Sequence, residues 1–479
     1  MSITYGHKLK LGFVPTRREI NSKLAFNVDE AAKYKKIVED WLKTQKVEYI
    51  NLDFLNKEGL LFNKFDADVA AKHFINEDVD AIFVPHINFG AEDAVVRLAK
   101  KLDKPVLIWG PQDDAPGQDG SRLRDSQCGI FATTKVLSRN GVPFSYITNC
   151  PTGDKILNKG FDNFLAAASV VKAFKNLRIG MISVRPSSFW SVMYNEGELL
   201  ERFGIEILPI SLPDLRKMYD HVADTSKDTI ASMVSELKHS MKKIIFEDQY
   251  LEKSVILRLA IRKWAEEQKL SAVASTCWGP MFESVGISPC FTFSELTGDG
   301  LPTICEADVH GAVTAVMSHA AVRWQNPIFL ADVTNRHPSD KNAELFWHCG
   351  VFPRQLIREG CEPELGIHYN RRAPIVGHWE LQHGDLTISR FDGVKGNYSL
   401  LMGHGKGVGG PATHGTWLWV KFNDWPKWEH KFVYGPYIHH CVGVYGQVAP
   451  VLYEACRYID ITPDPVEPEA EELERILRG

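Results

Sequence analysis

Closely spaced cysteines are missing from this sequence. Nine cysteines are spread over 479 residues, the count is odd, and no Cys-x-x-Cys pair occurs. A disulfide framework needs paired cysteines, and a zinc ribbon needs closely spaced ones. The distribution therefore argues against both, and it favours reduced thiols in the cytoplasm, which is the location we predict.

Excess positive charge and long apolar runs are missing too. The 55 basic and 60 acidic residues give a net charge of −5, which argues against nucleic acid or an anionic membrane surface as the main partner. The first 15 residues contain no continuous apolar segment, so we predict neither a signal peptide nor a membrane span. The glycine-rich segment 403–410 lacks Gly-Lys-Ser/Thr and is not a P-loop.

Short apolar runs alternate with amphipathic segments through much of the chain. This pattern predicts an α/β fold with two doubly wound parallel-sheet (flavodoxin-like) domains, at 1–175 and 176–350. Alternating strands then predict an antiparallel β-rich C-terminal domain at 351–479. Three finer predictions are a long helical region at 227–268, a helix at 306–323 and an acidic surface extension at 462–479.

Carboxylates interrupt segments that otherwise have the composition of buried strands and helices. Glu283 follows a predicted strand, and Glu306 and Asp308 follow the apolar segment 301–305. Carboxylates are costly to bury unless they are paired or bind a metal. Far downstream, His440 lies in an apolar, aromatic segment. Two or three carboxylates with one imidazole form a ligand set for a divalent cation that keeps positions open for a substrate.

Each of these residues also has a structural interpretation. Glu283, Glu306 and Asp308 lie near predicted helix starts, where acids interact favourably with the helix dipole. His439 and His440 are adjacent in a predicted strand, where successive side chains face opposite sides. At most one of the two is therefore expected to reach a cleft.

Polar and aromatic residues near predicted strand ends are candidates for binding a substrate, because ligands of parallel sheets lie beyond the carboxyl ends of the strands. Arg17 and Arg185 each follow a predicted strand and could hold a sulfonate or a carboxylate, although ordinary salt bridges explain them equally well. Trp417 belongs to a tryptophan cluster in which one ring could stack on a sugar. The complete candidate set is Arg17, His86, Asn88, Trp278, Arg185, His439 and Trp417.

Several segments resemble the L-fucose/L-arabinose isomerase family, nearer its fucose-isomerase-like branch. The most specific are CWGPMFE at 277–283, GLPTICEADVHGA at 300–312 and the histidine pair at 439–440. FWHCG at 346–350 also resembles a family segment, and the resemblance covers nearly the whole chain.

The resemblance implies a divalent metal, most often Mn²⁺, with Mg²⁺ or Co²⁺ as alternatives. It implies Glu283, a second acid and His440 as ligands. The second acid matches Asp308 in the fucose-type pattern and Glu306 in the arabinose-type pattern. Glu283 and Asp308 are the implied catalytic acid and base, and the implied assembly is a closed homo-oligomer, a trimer or a hexamer.

The implied reaction interconverts an aldose and a ketose, with a free, non-phosphorylated hexose, deoxyhexose or pentose as substrate. The residue chemistry agrees, because a metal polarises a carbonyl while a carboxylate moves the neighbouring proton through a cis-enediol. Two alternatives stay open. One is an epimerase or lyase that uses the same metal site on a modified, for example sulfonated, sugar. The other is a sugar-binding protein without catalysis.

Overall fold

The computed structural model of the chain describes residues 8–277, 279–370 and 372–478. It forms two compact units. The N-terminal unit contains Lys8–Lys172, Tyr453–Asp460 and 470–478, and the main unit contains Ala173–Leu452 and Ile461–Glu469. No helix in the described ranges is both long and apolar enough to cross a membrane. The predicted domain boundaries after residues 175 and 350 stay predictions.

The N-terminal unit is built on a parallel sheet. Its strands and helices are β1 (Lys10–Phe13), α1 (Val28–Thr44), β2 (Glu48–Ile50), α2 (Asp66–Asn76), β3 (Ala81–Pro85), α3 (Glu92–Leu102), β4 (Val106–Trp109), α4 (Ser126–Arg139), β5 (Ser145–Tyr146) and α5 (Lys155–Lys175). The strand order is β2-β1-β3-β4-β5. Strands β3 and β4 are buried at every position, with successive side chains in two different core clusters, as expected for a sheet covered on both faces.

The first half of the main unit carries a second parallel sheet. Its elements are β6 (Arg178–Ile182), α6 (Glu196–Phe203), β7 (Glu206–Ile210), α7 (Leu212–Thr225), α8 (Lys227–Ser240), β8 (Lys243–Ile244), α9 (Asp248–Gln268), β9 (Ala272–Ser275), α10 (Pro280–Val285), α11 (Cys290–Gly298), β10 (Thr303–Ile304) and α12 (Val309–Ala321). The order of its four strands is β10-β9-β6-β7. Every described residue of α12 is buried, so the helix lies inside the unit.

The remaining elements belong mostly to one antiparallel β region. They are β11 (Phe329–Arg336), β12 (Ala343–His348), β13 (Glu364–Ile367), β14 (Pro374–Glu380), β15 (Gly384–Val394), β16 (Asn397–Val408), β17 (Thr416–Lys421), α13 (Trp425–Tyr434), β18 (His440–Tyr445), α14 (Ala449–Cys456), β19 (Thr462–Pro465) and α15 (Ala470–Arg478). Six strands pair in the order β16-β15-β18-β11-β12-β17, and β17 pairs back onto β16. This return pairing closes the six antiparallel strands into a barrel.

The coarse prediction of an α/β chain with parallel sheets and an antiparallel C-terminal β region is confirmed, and the flavodoxin-like assignment stays a prediction. Of the three finer predictions, one is confirmed in part and two are wrong. The helical region at 227–268 consists of α8 and α9, but β8 separates them and pairs with β13. The helix predicted at 306–323 begins only at Val309, because the Asp308 side chain caps it. The predicted surface extension at 462–479 contains β19 and α15, in which Leu473 and Leu477 are buried.

Candidate active site

A strained backbone turn presents the acidic segment of the main unit. After β10, Glu306 and Ala307 both have left-handed backbone conformations, with φ of 63° and 55°. Such conformations cost on the order of 1–3 kcal/mol each for residues other than glycine, and they persist where the surrounding structure enforces them, often at functional sites. Asp308 then returns to an extended conformation and starts α12. The turn sets the directions of two carboxylates within three residues.

Asp308 lies at the centre of a buried polar network. Its carboxylate accepts hydrogen bonds from the Gly311 backbone N–H at 2.9 Å and from His440 Nδ1 at 2.9 Å. The Arg390 guanidinium donates to both carboxylate oxygens, with Nη2 3.1 Å from Oδ1. Burial alone would raise the pKa of Asp308, but Arg390 and His440 outweigh it and hold the pKa well below its usual range. Asp308 is therefore ionised, and both of its carboxylate oxygens accept hydrogen bonds.

Arg390 extends this network away from the histidine. It also donates to Asp392 Oδ2 through Nε at 3.0 Å and Nη2 at 2.8 Å. Asp392 Oδ1 in turn lies 2.9 Å from His310 Nδ1. Arg390 is fully buried, so its charge has to be compensated, and the two aspartates do this with charge-assisted hydrogen bonds. The network fixes the orientation of Asp308 and, through it, the ring of His440.

The other nitrogen of His440 faces two more carboxylates. Nε2 lies 3.2 Å from Glu306 Oε2 and 3.4 Å from Asp332 Oδ1. Burial would lower the pKa of His440, but the Asp308 and Glu306 carboxylates raise it to about 10. Among the described residues, neither His440 Nε2 nor Asp332 Oδ1 has a hydrogen bond of acceptable geometry, so we interpret these close approaches as ionic contacts. Three carboxylates thus surround one imidazole.

His439 forms a second cluster with Asp332 and His440. Ligand atoms of Asp332, His439 and His440 all lie within 4.8 Å of one another, an arrangement able to hold a metal ion. His439 precedes β18 and is exposed, and its ring centroid lies 4.4 Å from that of His440. The alternation expected within a strand does not separate the two rings, because only His440 belongs to the strand.

Glu283 lies in a different setting from the other predicted ligands. It occupies the first turn of the short helix α10 and is exposed. It is not a member of the metal-type grouping found among the described residues. Trp278 lies outside the described residues. The structure therefore brings together Glu306, Asp308 and His440, and the assignment of Glu283 as a ligand stays a prediction.

Three predicted substrate-binding residues belong to the N-terminal unit, where they make internal contacts. Arg17 pairs with the Glu58 carboxylate through Nε at 2.6 Å and Nη2 at 2.8 Å. His86 is fully buried, its Nε2 lies 2.8 Å from Thr133 Oγ1, and burial lowers its pKa to about 4. Asn88 is also fully buried, and its Oδ1 accepts from the Arg18 backbone N–H at 2.8 Å. Their roles toward a substrate stay predictions.

Two further candidates lie in the main unit. Arg185 Nη1 donates to the carbonyls of Pro186 and Ser187, each at 3.0 Å, in the loop that follows β6. Trp417 is half-buried on β17, directly opposite Trp347 of β12. Trp417 thus lies on the barrel that also carries His440 and Asp332, whereas Arg185 lies in a loop of the parallel-sheet region.

Sequence reasoning missed Asp332 and Arg390. Asp332 is the single charged residue in the strand-like segment IFLADV, and an acid in such a run was a usable signal. Arg390 also gave a usable signal, because in DLTISRFD the strand alternation places it on the same face as the apolar Leu386 and Ile388. Its complete burial is accompanied by pairing with Asp392 on the same strand and with Asp308, which is 82 residues away at the start of α12.

Comparisons with known proteins relate the chain to sugar isomerases. Residues 12–175 match the family model described as fucose/sulfoquinovose isomerase, N-terminal domain. Over these residues, the match supports the resemblance to the fucose isomerase-like family. Sulfoquinovose isomerases from Priestia aryabhattai and Priestia megaterium are each 26% identical over 390 residues, covering 80% of this chain and 84% of theirs. The sulfoquinovose isomerase of Alkalicoccus urumqiensis is 25% identical over 70% of this chain and 74% of its own.

Among solved structures, a galactofuranose-binding protein aligns with 62% of this chain and 81% of its own, at 10% identity and a TM-score of 0.15. That score is too low to argue a shared fold. The relatives with sequence similarity support the expectation of an enzyme, an aldose–ketose isomerase.

Proposed function

We propose that this protein isomerises a free hexose carrying an anionic group, with sulfoquinovose as the first candidate substrate, to the corresponding ketose. The convergence of Glu306, Asp332 and His440 at one point carries the proposal, because it supplies both acid/base groups and a site for a cation. The activity of the relatives supports the choice of sugar. Neutral hexoses, deoxyhexoses and pentoses are the comparison substrates.

We propose that the chain binds a divalent cation, Mn²⁺ first and Mg²⁺ or Co²⁺ as alternatives. Two buried atoms without hydrogen bonds among the described residues, His440 Nε2 and Asp332 Oδ1, support this fit, as does the oxygen-rich donor set. Asp332, His439 and His440 would hold the ion, with Glu306 beside them, and binding would displace the proton that the raised pKa keeps on His440. When bound, the ion would polarise the sugar carbonyl and neutralise charge that develops on oxygen.

Positioning of His440 and proton transfer are assigned to different residues. Asp308 and Arg390 hold His440 in one orientation, the role that a hydrogen-bonded carboxylate has behind a ligating histidine. Glu306 would take the proton beside the carbonyl and return it to the neighbouring carbon of the cis-enediol, since its carboxylate lies 3.2 Å from His440 Nε2. This proposal gives Glu306 the acid/base role that the family resemblance implied for Glu283 and Asp308, and the predicted role of Glu283 has to be tested beside it.

The first experiment is a substrate screen on the purified protein. Sulfoquinovose, glucose, L-fucose and L-arabinose are offered after chelation and again after Mn²⁺ is added, with products identified by NMR in D₂O. We expect ketose formation from sulfoquinovose that chelation abolishes and Mn²⁺ restores, with solvent deuterium entering the product. A product epimeric at one carbon, or cleavage into two fragments, would favour an epimerase or a lyase instead.

The second experiment tests the residue assignment. Glu306→Gln should lower kcat at least about 100-fold, the usual contribution of a positioned general base. Glu283→Gln tests the ligand predicted from the family resemblance, and Glu359→Gln is the control, because Glu359 is exposed and on the same unit. Full activity in Glu306→Gln together with loss in Glu283→Gln would return the catalytic role to Glu283.

A further inference from the structure

A row of side chains crosses four strands of the barrel and leads away from the candidate active site. His440 of β18 is directly opposite Asp332 of β11, Asp332 is opposite Trp347 of β12, and Trp347 is opposite Trp417 of β17. Directly opposed residues project from the same face of a sheet, with Cβ atoms about 4.5–5.5 Å apart. The indole of Trp347 is therefore the next side chain beyond Asp332.

A small groove opens at this point of the row. Its volume is about 270 Å³. The residues with polar or aromatic groups that line it are Thr334, Asn335, Trp347, Tyr369, Thr413 and His414. Trp347 Nε1 donates to the His414 carbonyl, which fixes the indole plane, and the ring of Tyr369 stands at 70° to it with the centroids 5.7 Å apart.

The chemistry of the lining matches one class of ligand. None of the described residues lining the groove is a lysine, an arginine or a carboxylate. The lining instead offers an aromatic face, hydroxyl groups, an amide and an imidazole. Apolar C–H faces of a sugar pack on aromatic rings, while neutral donors and acceptors fix its hydroxyl groups. Because the described lining offers no counter-charge, the groove suits the uncharged, hydroxyl-bearing carbons of a sugar, and an anionic group at the far end of the substrate would lie outside it.

We propose that this groove binds the hydroxyl-bearing carbon chain of the substrate beyond its reacting carbons, and that Trp347 is a specificity-determining residue. This inference rests on the proposed function, because it takes the reacting end of the sugar to lie at Glu306, Asp332 and His440. The carbonyl end of the sugar lies beside Asp332, and the next carbons extend across the strands onto Trp347. Affinity for a long sugar then depends on the groove, whereas affinity for a three-carbon sugar does not.

The test compares sugars of different length. Trp347→Ala should raise the KM for an accepted hexose about tenfold, since an aromatic contact is worth about 0.5–1.5 kcal/mol and 1.4 kcal/mol corresponds to a factor of ten. The KM for glyceraldehyde should not change, because a triose does not reach the groove. Trp190→Ala is the matched control, because Trp190 is an exposed tryptophan of the same unit outside the groove.

A second variant and a binding measurement distinguish failure of the groove proposal from failure of the proposed function. Asn335→Ala changes an exposed residue and should raise the hexose KM alone, even if Trp347→Ala does not fold. Binding of D-glucitol, a hexitol that cannot be isomerised, is followed by NMR with Mn²⁺ present and should weaken in both variants. Binding that depends on Trp347 without turnover of any aldose would retain the groove and reject the proposed function. Turnover with an unchanged hexose KM in Asn335→Ala and Trp347→Ala would overturn the inference.

Discussion

At the scale of single residues, Asp308 and His440 show that the sequence can indicate which residues form a site without indicating what each of them does there. The sequence placed both in the active site, and the structure joins them by a 2.9 Å hydrogen bond. The bond to Arg390 that occupies the Asp308 carboxylate was not predictable, because the alternation places Arg390 on the apolar face of its strand but does not say which distant acid it pairs with. The sequence motifs indicated that these residues lie close together. Only the folded structure shows which of their atoms are hydrogen-bonded.

Asp308→Asn tests the positioning role. The variant keeps the shape of the side chain but loses the charge that orients His440. We expect Mn²⁺ affinity, measured by calorimetry, to fall about 10–100-fold, the usual effect of altering the partner of a ligating histidine. Asp392→Asn is the control, since Asp392 also pairs with Arg390 but not with His440. Equal losses in the two variants would trace the effect to Arg390, and complete loss in Asp308→Asn would make Asp308 a ligand.

His86 makes the N-terminal unit sensitive to acid. Burial lowers its folded-state pKa to about 4, whereas an unfolded histidine titrates near about 6.5. Between these values the unfolded state binds a proton that the folded state does not, so the free energy of unfolding falls as the pH falls from about 6.5 to 4. At 1.36 kcal/mol per pKa unit, the loss is about 3 kcal/mol.

Urea unfolding at several pH values checks this. His86→Gln should be less sensitive to acid than the parent protein over this window, because glutamine does not titrate and can still hydrogen-bond Thr133. His430→Gln, at an exposed position, should follow the parent protein. If all three proteins lose stability in parallel, His86 is not responsible.

At the scale of elements, predictions succeeded where the local pattern was strong and failed where distant contacts decide. Short apolar runs between amphipathic segments predicted parallel sheets, and the all-apolar β3 and β4 are strands of such a sheet. The start of α12 was placed too early, because the backbone conformation of Glu306 is imposed by its surroundings and opposes its own propensity. The C-terminal helix α15 was missed because acids and prolines dominate its neighbourhood, while its apolar pattern is short.

Leu473 of α15 provides the prediction at this scale. Its side chain is fully buried, so Leu473→Ala should lower the free energy of unfolding by about 2–5 kcal/mol, the range for large-to-small changes in a core. Leu200→Ala, at a position that is 53% exposed in helix α6, is the control and should change stability little. A denaturant titration measures both. A negligible effect at Leu473 would mean that α15 contributes no packing and behaves as the surface extension predicted from the sequence.

At the scale of the whole molecule, the succession of parallel sheets and a β-rich C-terminal region was predictable, but closure of the barrel was not. Closure depends on the pairing of β17 with β16, and alternation within each strand does not say which strands pair. The same limit applies to the active site. Asp332, Asp308 and His440 come from three elements, and they meet only because β11 and β18 are neighbours and α12 begins beside them.

The assembly is the last prediction, and it comes from the family resemblance. We expect a closed homo-oligomer built on a trimer, in which polar segments of the N-terminal unit such as 15–18 and 86–89 contribute to the site of a neighbouring subunit. Closed symmetric assemblies commonly unite surfaces that are distant in one chain. Light scattering at assay concentration should therefore give a mass that is a multiple of the 54.0 kDa chain. Specific activity should fall on dilution as the assembly dissociates, whereas a monomer that keeps full activity on dilution would show that each chain carries a complete site.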